Sequence, residues 1–514
     1  MIWLIGSAVV VLVLVVLAVI DLLQTRHAIR RNFPLVGRLR YALERIGPEL
    51  RQYIVTDNDE ERPFSRDQRR WVYASAKMEN QYFGFGTDNK MDVPQYPIIR
   101  HAAFPYRPPG TEVTLNGKKP QPTDGPAYPL PTLKVMGEWR DRDKAFRPSS
   151  VIGISAMSYG SLSSAAVQAL NRGAMAAGCL HNTGEGGVSV HHSQGGELVL
   201  QLGTGYFGAR TPDGRFDADK AMALVDQAPV RAIEIKLSQG AKPGLGGVLP
   251  GEKVTAEIAA ARGVPEGKTV ISPSSHVEFN SVPTMIDFIE RVASATGLPV
   301  GIKSAVGDRR FWGELADEMM STGKGPDFIA IDGGEGGTGA APLVFSDHVA
   351  LPFRSGFTEV YRAFAARGAH EKVFWVGSGK LGFPGEALLA MALGVDMVAV
   401  AREAMLAVGC IQAQKCHTGH CPTGVATQTP WLVRGLDPTD KAVRVGNYVM
   451  NLRNELLMLA HACGQPHPSL VGGESIDLLV EGEQTVGLWD QFGYEDQWRA
   501  SSPGQRAEAE ALLA

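Results

Sequence analysis

Phe328-Ile329-Ala330-Ile331-Asp332-Gly333-Gly334-Glu335-Gly336-Gly337-Thr338-Gly339 decides how the rest of this chain is read. Four apolar residues end abruptly on an acid and a run of glycines. A buried strand delivering a polar loop has this pattern. Glycine suits such a loop because a backbone without Cβ lets a ligand come close.

Working outward, the same unit recurs from about residue 150: a short apolar run, a glycine-rich or polar turn, then a helical stretch. Eight runs fit it, at 151–155, 179–182, 232–237, 269–272, 300–303, 328–331, 373–376 and 397–400. Eight strand-and-helix units in roughly 250 residues predict an α/β fold, a (β/α)8 barrel with its active groups where strands end and loops begin. A doubly wound sheet is the competing architecture. The strand ends carry Ala156-Met157-Ser158-Tyr159-Gly160-Ser161, Asn182-Thr183-Gly184-Glu185-Gly186-Gly187, Gln239-Gly240-Ala241-Lys242-Pro243-Gly244, Pro273-Ser274-Ser275-His276 and Gly377-Ser378-Gly379-Lys380. In a barrel all of them meet at one rim.

Glycine-rich loops after the seventh and eighth strands make a ready phosphate site, where exposed backbone N–H groups cradle a dianion. Gly377, Gly379 and Arg402 suit that role, with a flavin mononucleotide (FMN) laid across the barrel mouth. Lys303, at the end of the fifth strand, would place positive charge beside the flavin's pyrimidine edge; otherwise it is a solvated rim lysine. Met157, Ser158, Gln239, Gly333 and Gly334 are the further candidate flavin contacts. Gly334-x-Gly336-x-x-Gly339 and Gly203-x-Gly205-x-x-Gly208 match the dinucleotide spacing, but Pro342 interrupts the helix the first needs and no convincing strand precedes the second. Residues 263–269 are one residue short of a phosphate-binding P-loop.

Cys410, Cys416 and Cys421 are three of the five cysteines and lie within twelve residues, spaced C-x5-C-x4-C. Soft thiolates on one short loop suit an iron–sulfur cluster. With no fourth cysteine in the run, a three-iron cluster fits better than a four-iron one. A disulfide would strand one thiol, and tetrahedral zinc would need His417 or His420 as well. Cys179 and Cys463 read as small core residues.

A net charge of −4 gives no sign of nucleic-acid binding. Residues 2–20 form an apolar run long enough to cross about 30 Å of hydrocarbon. No basic residue precedes it, as a signal peptide would require, whereas Arg26, Arg30, Arg31, Arg38 and Arg40 follow. The positive-inside rule then predicts a single-pass anchor with the catalytic body in the cytoplasm. Residues 35–90 look helical and amphipathic, with Leu39, Leu43 and Ile46 on one face; this part lies along the membrane surface or caps the main domain. Ten prolines over 94–131 predict an irregular connector. The expected organisation is an anchor over 1–24, a helical and proline-rich extension over 25–134, the barrel with its cysteine loop over 135–465 and a tail over 466–514.

These loops, together with the cysteine run and its ending Pro422-Thr423-Gly424-Val425-Ala426-Thr427-Gln428, resemble the synthase domain of glutamate synthases over roughly residues 135–465. The resemblance implies FMN, a [3Fe-4S] cluster and the reductive amination of 2-oxoglutarate by ammonia to L-glutamate. It places Glu185 and Lys242 at the reacting centre, and Arg262 and Ser281 on the oxoacid. Arg262 can pair with a carboxylate bidentately, and Glu185 can shuttle protons.

Two departures matter. Where the family commonly has a GGQLPG stretch, this chain has Gly246-Gly247-Val248-Leu249-Pro250-Gly251, so a polar substrate contact is lost. The family's glutaminase domain, with its N-terminal cysteine, is absent. Ammonia is therefore expected free or from a separate glutaminase subunit, and electrons from ferredoxin or a separate reductase subunit. Two other readings stand beside this one: a related flavoenzyme for another amino or oxo acid, and a membrane-tethered electron-transfer subunit.

Overall fold

Eight short parallel strands close into a barrel in a computed structural model of the chain, which describes residues 2–24, 28–56, 60–79, 84–108, 128–481, 484–498 and 503–513. They are β1 (Ile152–Ile154), β2 (His181–Asn182), β3 (Leu198–Leu202), β4 (Val230–Lys236), β5 (Val300–Ser304), β6 (Phe328–Asp332), β7 (Phe374–Ser378) and β8 (Met397–Val400). Each pairs with the next, and β8 returns to β1 with Val398 opposite Ile152. The (β/α)8 barrel is thus the fold, and the doubly wound sheet is not.

Side chains alternate across each strand, so one column of every strand fills the barrel. Phe328 and Ala330 of β6, Phe374 and Val376 of β7, Ala232 of β4 and Val199 of β3 form one buried core with Met136 and Phe146. Carried on in steps of two, the same columns end in Asp332, Ser378 and, by way of Glu234, Lys236 at the C-terminal rim. The interior is apolar below and charged above because each column changes chemistry at its last step. Gly301 of β5 leaves the space that the Phe328 ring occupies, and a Cβ there would collide with that ring. Gly301→Ala is expected to cost about 1–3 kcal/mol through overpacking, read as a lower thermal midpoint.

One of the eight expected strands lies outside the barrel, and one barrel strand lies outside the expected eight. Leu198–Leu202 is the third barrel strand, a leucine-rich run buried along its whole length, whose composition does not separate strand from helix. Residues 269–272 do contain a strand, but Val270–Ile271 pairs antiparallel with Val248–Leu249 outside the barrel. The Gln239–Lys242 loop therefore follows the fourth strand, and Pro273–His276 belongs to the long excursion between β4 and β5. A strand does precede Gly203, yet the next helix starts only at Ala218, so the dinucleotide fingerprint still lacks its helix. Gly377 lies inside β7 rather than in the loop beyond it.

Residues 1–69 and 70–514 form two compact units. In the first, a helix over Ile2–Leu23 is followed by Ala28–Asn32 and Val36–Leu50. Its Trp3–Leu23 part is long and apolar enough for a membrane span, a test that a signal sequence also passes. Arg26 lies outside the described residues, as do 109–127 of the proline-rich stretch. Of the helical reading of 35–90, Val36–Leu50 and Arg66–Lys77 are α-helical, whereas described residues from 84 onward form turns and extended chain.

Candidate active site

β2 hands the chain to Thr183-Gly184-Glu185-Gly186-Gly187. Gly184 and Gly187 adopt φ of +67° and +78°, backbone that an L side chain rarely takes. A Cβ on Gly184 would meet the Ser158 backbone nitrogen at 2.5 Å, so the loops after β1 and β2 interlock. The Asn182 Oδ1 accepts from the Gly184 N–H at 3.0 Å and fixes the turn.

This turn delivers Glu185 to three basic side chains. The Lys236 Nζ, at the end of β4, donates to the Glu185 Oε1 at 3.0 Å and to the Gln239 Oε1 at 2.6 Å. Burial pushes the Glu185 carboxyl up, but Lys236, then Lys242 and Arg262, outweigh it and hold it below the usual carboxylate range. Glu185 is therefore ionised at neutral pH. Burial and the neighbouring Lys236 charge hold the Lys242 amine below an ordinary lysine, against the pull of Glu185.

Arg262 ends the helix Ala256–Arg262, where the helix dipole favours a cation. It is 5 % exposed. Its Nη2 donates to the Tyr159 carbonyl at 3.2 Å and the Ser158 Oγ at 3.4 Å, and its guanidinium carbon lies 5.1 Å from the centre of the Phe207 ring. Its Nε is buried without a hydrogen-bond partner. A buried guanidinium with an unused donor is prepared for an anion.

The opposite half of the mouth is built on β5 and β6. Lys303 is 6 % exposed, so it is not a solvated rim lysine. Its Nζ lies 3.3 Å from the Ser155 Oγ and 3.8 Å from the Asp332 Oδ2. Asp332 ties three loops together: its Oδ2 accepts from the Gly240 N–H at 3.0 Å and its Oδ1 from the Ser378 hydroxyl at 2.6 Å. The Gly333 and Gly334 N–H groups donate to the carbonyls of Ser378 and Leu351 at 2.9 and 2.8 Å. The N–H groups of these two candidate flavin contacts are already engaged, and what the glycines offer a ligand is close backbone approach. Gly379 has φ of +124°. Arg402 donates to the Glu335 carbonyl, and a Cβ on Gly337 would strike its side chain.

The cysteine loop does not follow β8 directly, because the helix Arg402–Val408 intervenes. No disulfide joins any of the five cysteines, all of which are described residues. Burial pushes the Cys421 thiol up, but the Ala426 amide, the Thr423 hydroxyl and further amides outweigh this and hold it below its ordinary value. The Cys410 Sγ accepts from the Gln412 N–H at 3.4 Å. Among the described residues no three His, Cys, Asp or Glu side chains gather as a metal site. Cys179 and Cys463 are buried, as core residues should be.

Ser281 caps a helix. It is exposed, and its hydroxyl lies 2.8 Å from the Thr284 hydroxyl in the capping box of the helix Val282–Thr296. Three contributors escaped sequence reasoning: Lys236, Asp332 and His276. The His276 Nε2–H donates to the Lys236 carbonyl at 2.9 Å, which leaves Nδ1 to accept from the Tyr206 hydroxyl at 2.8 Å. The signal for Lys236 was available, since charges at 234 and 236 on the inward face of a buried strand need a partner.

The C-terminal rim of this (β/α)8 barrel thus joins an ionised carboxylate to basic side chains. The family described as "Conserved region in glutamate synthase" matches residues 135–466. The glutamate synthase large subunit-like protein YerD of Bacillus subtilis is 40% identical over 469 residues, covering 87% of this chain and 88% of that protein. The archaeal glutamate synthase [NADPH] of Methanocaldococcus jannaschii is 36% identical over 316 residues, covering 61% of this chain and 59% of its own length. Among solved structures, mandelate oxidase with (S)-4-hydroxymandelic acid aligns at a TM-score of 0.40 and 16% identity, over 68% of this chain and 83% of that one, too distant to add to the strand order itself. The chain belongs to the glutamate synthase family, and with it to the oxidoreductases.

Proposed function

We propose that this chain makes L-glutamate by reductive amination of 2-oxoglutarate with ammonia. The observation that carries the reading is the Glu185–Lys236–Lys242–Arg262 centre, an ionised carboxylate among cations that a dianionic oxoacid can use. The free Arg262 Nε, with an Nη, offers the paired donors that a carboxylate accepts. Glu185 takes a proton from the attacking nitrogen and returns it to the departing hydroxyl, which leaves as water and so restores the carboxylate, while the Lys236 ammonium holds that carboxylate in place. Lys242, more easily deprotonated than a surface lysine, sits beside this exchange.

The mouth fits a flavin. Lys303 is a buried cation whose nearest polar contacts among the described residues are at 3.3 and 3.8 Å, and the backbones of Gly240 and Gly333 meet too closely for a Cβ on Gly240. Met157, Ser158, Gln239, Lys303, Gly333, Gly334, Gly377, Gly379 and Arg402 would hold FMN, and Cys410, Cys416 and Cys421 a [3Fe-4S] cluster. When bound, the flavin supplies hydride and the cluster single electrons.

Ferredoxin or a reductase subunit is the proposed electron source, in keeping with the large subunit-like name of the Bacillus relative. Ammonia arrives free or from a glutaminase subunit, and the apolar N-terminal helix anchors the chain with the barrel in the cytoplasm. Val248, 59 % exposed where the family commonly carries glutamine, favours a second reading in which the oxoacid differs. The test is to extract the full chain in detergent, reduce its flavin and add 2-oxoglutarate with ammonium. Reoxidation by that pair, and by neither alone, is the expected outcome. A protein without flavin, even after reconstitution, would falsify the reading.

A further inference from the structure

The helix Val36–Leu50 carries an apolar stripe left exposed by the described residues of its own unit. Val36, Leu39, Leu43, Ile46 and Leu50 recur at alternating steps of three and four, and are 72, 61, 52, 49 and 40 % exposed. At 100° per residue they fall within a sector of about 80°. The charged residues of the helix, Arg38, Arg40, Glu44, Arg45 and Glu49, occupy the rest of its circumference. Phe33 before the helix, and Ile54 and Val55 after it, are also exposed.

The stripe sits at one end of the apolar helix and is held there. Asp21 is the lone acid of Ile2–Leu23, and its side chain is 1 % exposed. Its Oδ2 accepts from the Arg38 Nε at 2.8 Å and from the Leu35 N–H at 3.1 Å, and the Arg38 Nη2 reaches the Leu17 carbonyl at 3.5 Å. Gly37 completes the corner, since a Cβ on it would meet the Ile29 carbonyl at 2.9 Å. All these contacts gather around the first turn of Val36–Leu50, which leaves the stripe uncovered. Between 28 and 51 there are six arginines and two glutamates. An apolar stripe flanked by arginines, joined through the buried Asp21 carboxylate and Arg38 to a helix of membrane-spanning length, is matched to an anionic bilayer surface.

We propose that Val36–Leu50 lies in the bilayer interface with this stripe among the acyl chains, and that Asp21–Arg38 sets its angle to the spanning helix. This rests on the anchoring role of the apolar helix. The test places the photo-crosslinker p-benzoyl-phenylalanine singly at positions 39, 43 and 46, and at 40 and 44 as controls, in the full chain reconstituted into phosphatidylglycerol-containing vesicles. Lipid adducts several-fold more abundant at 39, 43 and 46 than at 40 and 44 are expected, with the excess reduced by Asp21→Ala. Cross-links from position 43 into residues 70–514, or equal yields at all five positions in a membrane-embedded protein, overturn the interfacial helix while leaving the anchor intact. A chain recovered from cells without residues 1–24 overturns the anchor and the inference together.

Discussion

Glu185→Gln lowers kcat by about 10²–10⁴-fold, the span that a positioned proton-transfer group commands, while the flavin spectrum and the fold persist. The amide fills the same space in the glycine turn and still accepts from Lys236, so what is lost is proton traffic. A second variant separates this role from mere shape. In Lys236→Met the largest favourable interaction of the Glu185 carboxylate is gone and its burial remains, so its pKa rises. The acidic limb of the kcat/KM profile then moves to higher pH, and raising the pH restores rate. A carboxylate that merely braced the loop would leave the limb where it was.

Arg262→Ala raises KM for the oxoacid. Truncating one member of a buried charge pair costs about 2–5 kcal/mol, so the rise is 30-fold or more. Arg262→Lys recovers only part of it, because an ammonium cannot supply the guanidinium's parallel donors. Flavin content measured on the same protein decides the assignment. If flavin is lost with substrate affinity, Arg262 serves the packing against Phe207 and Tyr159 instead of the substrate.

Those two residues were legible through the family resemblance, Glu185 by its glycine loop and Arg262 by its place in the helix after the Lys242 loop. The barrel was legible too, from β-branched runs ending in glycine. Leu198–Leu202 escaped because leucine serves helix and strand alike, and the Val270–Ile271 strand was recognised but assigned to the wrong sheet, since β-branched residues report extended backbone and nothing about partners. Lys236 and Asp332 were hidden by the opposite effect: they lie in runs whose apolar character draws the eye to the fold. The Asp332–Ser378–Gly240 junction needs three strand ends brought together, and no local pattern encodes that. Ser281 shows the converse, a residue with the right neighbours in sequence whose hydroxyl closes a helix terminus.

Lys236 and Lys303 are register partners on adjacent strands, β4 and β5. One links to Glu185 and the other to Asp332, so the two halves of the mouth are spaced by a single step of the ladder, about 4.8 Å. Such a centre cannot be transplanted by grafting loops onto another barrel. A one-residue slip between these strands would turn one ammonium out into the helical layer, and an engineer seeking to move the chemistry would have to carry the staves of the barrel along with its rim.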